Sequence, residues 1–286
     1  MKTLHLILFI SLFLFSGCIQ RIAIGSMGQI MDNGFEVINE EQDLDIADKA
    51  IASDLKLLES VMKSDPENEH FLQLASMGYA SYALGFVEDD SAARASMLYL
   101  RGRDFGLKIL RKNRAFAEAE NGDIAAFKNS LQSFSKDDVP AIFWTAVGWG
   151  SHLYLNLTQP SAIADLPKIE ALMQFVLAKD PGYFHGGAHF FLGALYGSRP
   201  KMFGGDSAIS RRHFEDCLAL NGGKFLMTYV YYAKSFAVQY QDKALFEECL
   251  TRVDTTSLDV LPEARLSNAI AKRKAKLLRN KIDELF

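Results

Sequence analysis

Apolar residues recur with a helical period along most of the chain. Ile51, Leu55, Leu58 and Met62 follow the spacing i, i+4, i+7 and i+11, which places them on one face of a helix. No comparable alternating run of β-branched residues, which would indicate strands, is present. The pattern predicts helices over residues 43–64, 68–87, 90–112, 122–134, 138–156, 162–179, 185–197, 206–220, 224–240, 242–253 and 262–284. Short connections favour antiparallel neighbours, so the predicted fold class is all-α.

The predicted helices contain a repeated packing pattern. After the turn at 65–68, the residues Leu72, Ala75, Ser76 and Tyr79 have the spacing of a tetratricopeptide repeat. Three later helices each carry a phenylalanine followed three positions on by a small residue: Phe175 and Ala178, Phe214 and Cys217, Phe246 and Cys249. The phenylalanines are 39 and 32 residues apart, on either side of the tetratricopeptide period of about 34. This spacing predicts an irregular tetratricopeptide-like solenoid of helical pairs.

The repeat pattern bears on two of the cysteines. Cys217 and Cys249 occupy equivalent repeat positions, and stacked helices pack about 8–10 Å apart. A disulfide needs Cα atoms within about 7 Å. We therefore expect both cysteines to be buried small packing residues, with a disulfide between them as the alternative.

Composition narrows the class of protein. The chain has 286 residues, is 49% hydrophobic and has a formal charge of −4. This apolar content and modest charge exclude a disordered chain, and the charge gives no general field for collecting nucleic-acid phosphates. Only 3 cysteines are present, too few to hold a chain of this length as a disulfide scaffold.

The N-terminus has the pattern of a secretory signal. Lys2 precedes an apolar run from residue 4 to 15 that is too short to span a bilayer, and Ser16 and Gly17 stand directly before Cys18. This arrangement resembles the bacterial lipobox and predicts a signal peptide over 1–17 and a lipid-modified Cys18 carrying acyl chains such as palmitate. A plain cleaved signal or an uncleaved anchor is the alternative. We expect a tether over 18–40 and one helical-repeat domain over 41–286. Residue 19 is not Asp, which favours the periplasmic face of the outer membrane.

Motifs that would indicate chemistry are weak. His185 and His189 are four residues apart, as two zinc ligands on one helix would be, but the general-base glutamate of the H-E-x-x-H motif is missing. The glycine pairs at 204–205 and 222–223 lack the spacing of a phosphate-binding loop, and no G-x-S-x-G elbow is present. We expect no enzyme activity, no metal and no cofactor. The basic run over 272–281 is expected to be a solvated helix face.

Clustered aromatic residues are more informative. Phe143, Trp144 and Trp149 lie on one predicted helix, and Tyr229 and Tyr232 lie on another that carries further aromatics pointing in several directions. Either neighbouring helices cover all of these rings, or some of the rings line an apolar cavity or a subunit interface. These five residues are the candidates for lining a ligand cavity or a pore.

One segment carries a family resemblance. Residues 180–206 read DPGYFHGGAHFFLGALYGSRPKMFGGD and resemble the central signature of the T component of tetratricopeptide-repeat-associated TRAP transporters. The resemblance implies a periplasmic lipoprotein that assembles as a homotrimer. It also implies delivery of a small hydrophobic ligand to a TRAP-type substrate-binding protein through apolar cavities and a pore.

The resemblance makes residues 197–206 an inserted loop between the two helices of one repeat. Loops on one face of a solenoid are frequent contact surfaces. Arg199 and Lys201 are therefore candidates for meeting carboxylates of the partner, and Phe203 is a candidate anchor. The alternative is a merely structural loop closed by Gly204 and Gly205.

The sequence also allows a second function. A generic tetratricopeptide-repeat lipoprotein adaptor at the outer membrane would bind proteins or peptides in a concave groove. Such an adaptor calls for polar first helices, whereas the predicted helices 185–197 and 224–240 are aromatic.

Overall fold

The computed structural model describes residues 27–157 and 160–286. Over these ranges the regular structure is helical and contains no strand, which confirms the all-α prediction. Within the same ranges, no helix is both long and apolar enough to cross a membrane. The predicted signal peptide and Cys18 lie outside the described residues.

The α-helices follow the predicted order closely. They are α1 (27–39), α2 (Leu44–Met62), α3 (Glu69–Tyr82), α4 (Ala92–Leu110), α5 (Arg114–Ala119), α6 (Ile124–Ser130), α7 (Val139–Leu155), α8 (Pro160–Lys179), α9 (Tyr183–Gly197), α10 (Ser207–Asn221), α11 (Met227–Tyr231), α12 (Lys243–Thr255), α13 (Arg265–Arg279) and α14 (Ile282–Leu285). Helices α3 and α11 continue as π-helical turns over Ala83–Val87 and Tyr232–Ala237. The pattern did not predict α5, a short helix of six residues.

Helix α1 occupies most of the segment that was expected to be an irregular tether. Its Met31 is buried with Leu58 and Phe71 in a small core cluster. Met27, Met31 and Phe35 do follow a helical spacing, but Gly28 and Gly34 interrupt it and weaken the signal. The secondary structure expected for 27–39 was therefore wrong. The domain boundary at residue 41 stays a prediction.

The predicted apolar face of α2 is buried as expected. Ile51, Leu55, Leu58 and Met62 are all 9% exposed or less.

Side-chain caps fix where several helices begin. Asp43 accepts hydrogen bonds from backbone N–H groups in the first turn of α2, and Asp206, Asp242 and other Asx residues do the same elsewhere. Neighbouring helices pack in sequence order, α3 on α4, α7 on α8 and α9 on α10, and α4 also packs against α7.

Two of the three predicted repeat pairs are buried packing positions. Phe214 and Phe246 are fully buried, and the ring of Phe214 lies so close to Gly193 that an added Cβ would be 3.1 Å from it. Phe175 is only half-buried and Ala178 is exposed, so the expected burial holds for the second and third repeat pairs and is wrong for the first. The overall solenoid geometry stays a prediction.

Neither of the two repeat cysteines forms a disulfide. Cys217 and Cys249 are free and buried, as the packing interpretation expected. Burial raises the pKa of the Cys217 thiol to about 11 and that of Cys249 to about 12. Both thiols are therefore protonated packing groups at neutral pH.

The basic C-terminal helix is not simply a solvated face. Lys274 is 4% exposed and its Nζ donates to Asp89 Oδ2 at 2.7 Å. Arg273 donates to the carbonyl of Gly85 and lies 3.9 Å from the same aspartate. The expectation of a solvated face was wrong for these two residues, because acidic residues after α3 meet α13 across the fold.

Candidate functional site

An apolar cavity of about 170 Å³ lies between the helices. Its wall is built from α1, α2, α3, α7, α9, α11 and α13, so residues far apart in the sequence meet there. Most of the lining is aromatic or aliphatic, and includes Phe35, Phe190, Phe225 and Ile270. The arrangement is typical of a site for a small apolar molecule.

Two of the five aromatic candidates line this cavity. Phe143 and Trp144 belong to α7 and are 2% and 3% exposed. The Phe143 ring packs edge-on against Tyr183, with centroids 5.2 Å apart, and Trp144 packs edge-on against Phe184 at 4.8 Å. Edge-to-face packing fixes both rings in the wall of the cavity.

The start of α9 contains an unusual left-handed turn. Phe184, His185 and Gly186 have φ angles of 47°, 58° and 81°, in the region that L-residues with a Cβ rarely adopt. Asn221 Nδ2 donates to the His185 carbonyl at 3.2 Å, which helps to hold the turn against α10. The turn places Phe184 in the cavity wall. Such strain is commonly found at functional sites.

Gly187 permits a close approach at the same place. A Cβ at this position would lie 2.5 Å from Cζ and 2.8 Å from Cε2 of Phe143. Only glycine therefore allows the tip of the Phe143 ring to approach α9 this closely. The Gly-Gly pair thus has two distinct roles, with Gly186 allowing the left-handed backbone and Gly187 leaving space for the ring.

The other three aromatic candidates do not line the cavity. Trp149 is 6% exposed and packs between the side chains of Arg103 and Lys168, each 5.9 Å from its ring centroid. Tyr232 stacks on Phe214 with centroids 4.6 Å apart, and burial raises its pKa to about 12.

Tyr229, the last of the five, places its hydroxyl next to Gly223, where an added Cβ would lie 2.7 Å away. Clustering along one helix could not tell which face meets the cavity, because the rings of such a cluster point in different directions.

His185 and His189 do not face one another. His185 stacks on Phe225 with centroids 4.9 Å apart, whereas His189 Nδ1 lies 2.9 Å from Nδ1 of His213 on α10. The left-handed backbone at His185 breaks the i, i+4 relation that the sequence spacing suggested. Burial lowers the pKa of both histidines.

One polar side chain in the cavity wall was not predicted from the sequence. The Glu88 side chain is 6% exposed and lines the cavity. Its carboxylate accepts from the Tyr99 hydroxyl at 2.5 Å and from Lys234 Nζ at 3.1 Å. Glu88 and Lys234 are 146 residues apart in sequence, so no local pattern links them.

Of the three candidate contact residues in the inserted loop, one is buried and two are exposed. Arg199 is 5% exposed and its Nε donates to the Leu195 carbonyl at 2.9 Å, so it holds the loop rather than meeting a partner. Lys201 is exposed, and so are Met202 and Phe203, at 82% and 53%. The expectation that Arg199 is available to a partner's carboxylates was wrong, because the guanidinium turns inward to satisfy backbone carbonyls.

Comparison with known protein families decides the classification. The family model for the TRAP transporter T-component matches residues 40–286. The chain belongs to this family. T components are accessory components of a transporter rather than enzymes, and the chain is accordingly a TRAP transporter component. The match covers the whole cavity except for the part contributed by α1.

A relative of this T component is known from Treponema pallidum (strain Nichols). It is described as an uncharacterized protein and is 24% identical over 311 aligned positions, which cover 97% of this chain and 96% of the relative. The two chains are therefore similar from end to end.

Proposed function

We propose that this T component binds a small hydrophobic ligand in its central cavity and passes it to a TRAP-type substrate-binding protein. The observation that carries the proposal is the cavity itself, about 170 Å³ in volume and walled by rings that include Phe143 and Trp144. A cavity of about 150 Å³ lined by Leu, Ile and Phe is large enough for benzene. The cavity therefore suits an apolar molecule of about that size.

The aromatic wall also favours transport over the adaptor function. An adaptor that binds peptides in a groove needs exposed hydrogen-bonding side chains along the groove, because an extended peptide has to satisfy its backbone groups. The rings of Phe143, Trp144 and Phe184 offer almost none. Membership in a transporter family supports the same conclusion.

The exposed tip of the inserted loop, residues 201–203, is the proposed contact with the substrate-binding protein. Met202 and Phe203 are large apolar side chains at the surface, and Lys201 adds a positive charge beside them. The buried Arg199 fixes the base of the loop, so the tip is presented on a rigid support. An apolar anchor beside a charge is typical of a protein contact.

We further propose that the chain is a lipoprotein anchored through Cys18 at the periplasmic face of the outer membrane, and that it forms a homotrimer. The lipobox-like sequence before Cys18 supports the anchor. The trimer follows from the resemblance of residues 180–206 to the T-component signature. Either property can fail without affecting the proposed cavity.

The ligand proposal is tested by extracting the natively purified protein with organic solvent and analysing the extract by mass spectrometry. Sedimentation gives the mass of the assembly on the same sample. We expect a small hydrophobic compound and a trimer. A monomer that releases no such compound, also after incubation with a lipid extract of the host, would contradict the proposal.

The loop proposal is tested by measuring binding to the substrate-binding protein. Phe203→Ser should weaken the complex by about tenfold or more, since burial of an aromatic anchor commonly contributes at least that much. Met97→Ser is the matched control, because Met97 is 65% exposed on α4, away from the loop. Equal affinities of the two variants would show that the loop does not make the contact.

A further inference from the structure

The wall of the cavity is not uniformly apolar. Glu88 lies in the wall together with the side chains of Ser151, Tyr154 and Tyr231, and these residues form one polar region. Tyr231 lies 3.5 Å from Glu88 through its hydroxyl, and Tyr154 lies beside Lys234, whose Nζ is 5.9 Å from the Tyr154 ring centroid. Any ligand that fills the cavity meets this region as well as the rings.

The hydrogen bonds at Glu88 leave room for another donor. The carboxylate accepts from Tyr99, Lys234 and Tyr231, whereas a carboxylate offers about four acceptor positions. Tyr99 and Lys234 do not belong to the cavity wall, whereas Glu88 does. The carboxylate of Glu88 is thus an acceptor that a ligand in the cavity can reach.

The charge of the region is balanced without a ligand. Desolvation lowers the pKa of Lys234, but Glu88, Tyr154 and Asp89 together outweigh it and the pKa is raised, so the ammonium group persists. Burial raises the pKa of Tyr99 and of Tyr231 well above the usual value, so both hydroxyls stay protonated. Glu88 and Lys234 therefore form a neutral pair.

The other charges close to this pair have partners of their own. Asp89 is paired with Lys274 at 2.7 Å. Arg273 lies outside the wall, with 34% of its side chain exposed, and binds the Gly85 carbonyl. A charge brought by a ligand would consequently be desolvated without a free partner, which disfavours binding.

We propose that the cavity takes an apolar molecule of about benzene size that carries one uncharged hydrogen-bond donor, such as an alcohol or a phenol, placed against Glu88. This inference deepens the proposed function and rests on it. A ligand carboxylate would meet the Glu88 carboxylate directly, and a ligand ammonium group would lose its hydration beside a carboxylate that Lys234 already neutralises. A hydroxyl group avoids both costs.

Four probes of similar size test the inference by calorimetric titration of the purified protein at neutral pH. They are toluene, benzyl alcohol, benzoate and benzylammonium. Benzyl alcohol should bind about tenfold or more tightly than either charged probe, the difference expected when a charge is buried without a partner. Benzoate or benzylammonium binding as tightly as benzyl alcohol would overturn the inference.

The variant Glu88→Gln should change the preference of the cavity for benzyl alcohol over benzoate. It leaves the Lys234 ammonium group uncompensated, so the affinity for benzoate should rise about tenfold relative to benzyl alcohol. Glu69→Gln is the matched control, since Glu69 is an exposed acid on α3 that pairs with Lys112, and it should leave the ratio unchanged. An unchanged ratio in a folded Glu88→Gln protein would also overturn the inference.

The titration separates this inference from the proposed function. If toluene binds and benzyl alcohol has no advantage over the charged probes, the cavity binds hydrophobic ligands but Glu88 does not select them. If none of the four probes binds, the proposed function of the cavity fails too. Should Glu88→Gln not fold, the ranking of the probes on the unmodified protein decides alone.

Discussion

Replacing Gly187 by alanine tests whether the close packing at the cavity wall is real. The added Cβ would lie 2.5 Å from Cζ of Phe143, whereas carbon atoms in contact are normally about 3.5–4.0 Å apart. The Phe143 ring would have to move by roughly 1 Å, and its other neighbours, Tyr183, Trp144 and Phe184, hold it on the remaining sides. The direction left open is the cavity.

The magnitude follows from two opposing terms. Overpacking a core costs about 1–3 kcal/mol, and alanine stabilises a helix by about 0.5–1 kcal/mol relative to glycine. The net loss in the free energy of unfolding at Gly187→Ala should therefore be about 0–2.5 kcal/mol. The variant should also bind toluene more weakly, because the displaced ring occupies part of the cavity.

Denaturant unfolding followed by circular dichroism measures this effect, and Gly34→Ala serves as the matched control. Gly34 lies in α1 with nothing within 4 Å of an added Cβ, so alanine there should stabilise the protein by about 0.5–1 kcal/mol. The variant Phe143→Leu removes the clash. In that background, Gly187→Ala should therefore lower the free energy of unfolding by less than it does in the unmodified protein. If Gly187→Ala proves as stabilising as Gly34→Ala, the proposed contact with Phe143 is refuted.

Three further predictions concern titration, charge and thiols. Burial and a neighbouring histidine lower the pKa of His213 to about 4. The unfolded chain therefore takes up protons first, and the free energy of unfolding should fall as the pH drops from 6.5 towards 4; His213→Gln should flatten this slope, and an equal slope contradicts the assignment. Lys274→Ala should cost about 3–5 kcal/mol because it breaks a buried ion pair, whereas the exposed Lys276→Ala should stay within about 0.5 kcal/mol in the same denaturation assay. Cys217 and Cys249 should react with maleimide only after denaturation, and rapid labelling of the folded protein, located by peptide mass spectrometry, would show that they are not buried.

The helices were predictable where the apolar period is uninterrupted. The face of α2 and the repeat positions Phe214 and Phe246 are buried as the pattern predicts. Helix α1 was missed because Gly28 and Gly34 hide a real period, and packing against Leu58 outweighs their poor helix propensity.

The candidate site was only partly predictable, for geometric reasons. Aromatic content pointed to Phe143 and Trp144, but the facing of a ring depends on helix rotation, which placed Tyr232 in the core instead. The left-handed turn at Phe184 has no signal in its own residue type. Long-range pairs such as Glu88 with Lys234 exist only once the chain is folded.

The arginine in the inserted loop illustrates the same limit. A basic residue in a predicted surface loop indicates a solvated side chain, yet Arg199 is buried because its guanidinium group satisfies the carbonyls of Leu195 and Phe203. In the same loop the apolar Phe203 is exposed, although apolar side chains are usually buried. An exposed apolar side chain indicates a contact surface better than the presence of a basic residue does.

Titration of the purified protein with toluene, combined with a cavity-filling variant, shows whether the apolar cavity is a ligand site. Ala194 lies in the cavity wall on α9, and Ala194→Leu fills part of that space. The matched control is Ala93→Leu, at an exposed position of α4. We expect the unmodified protein and Ala93→Leu to bind toluene equally and Ala194→Leu to bind it at least about tenfold more weakly. Equal binding by all three proteins, or no binding by the unmodified protein, would contradict a ligand site in this cavity.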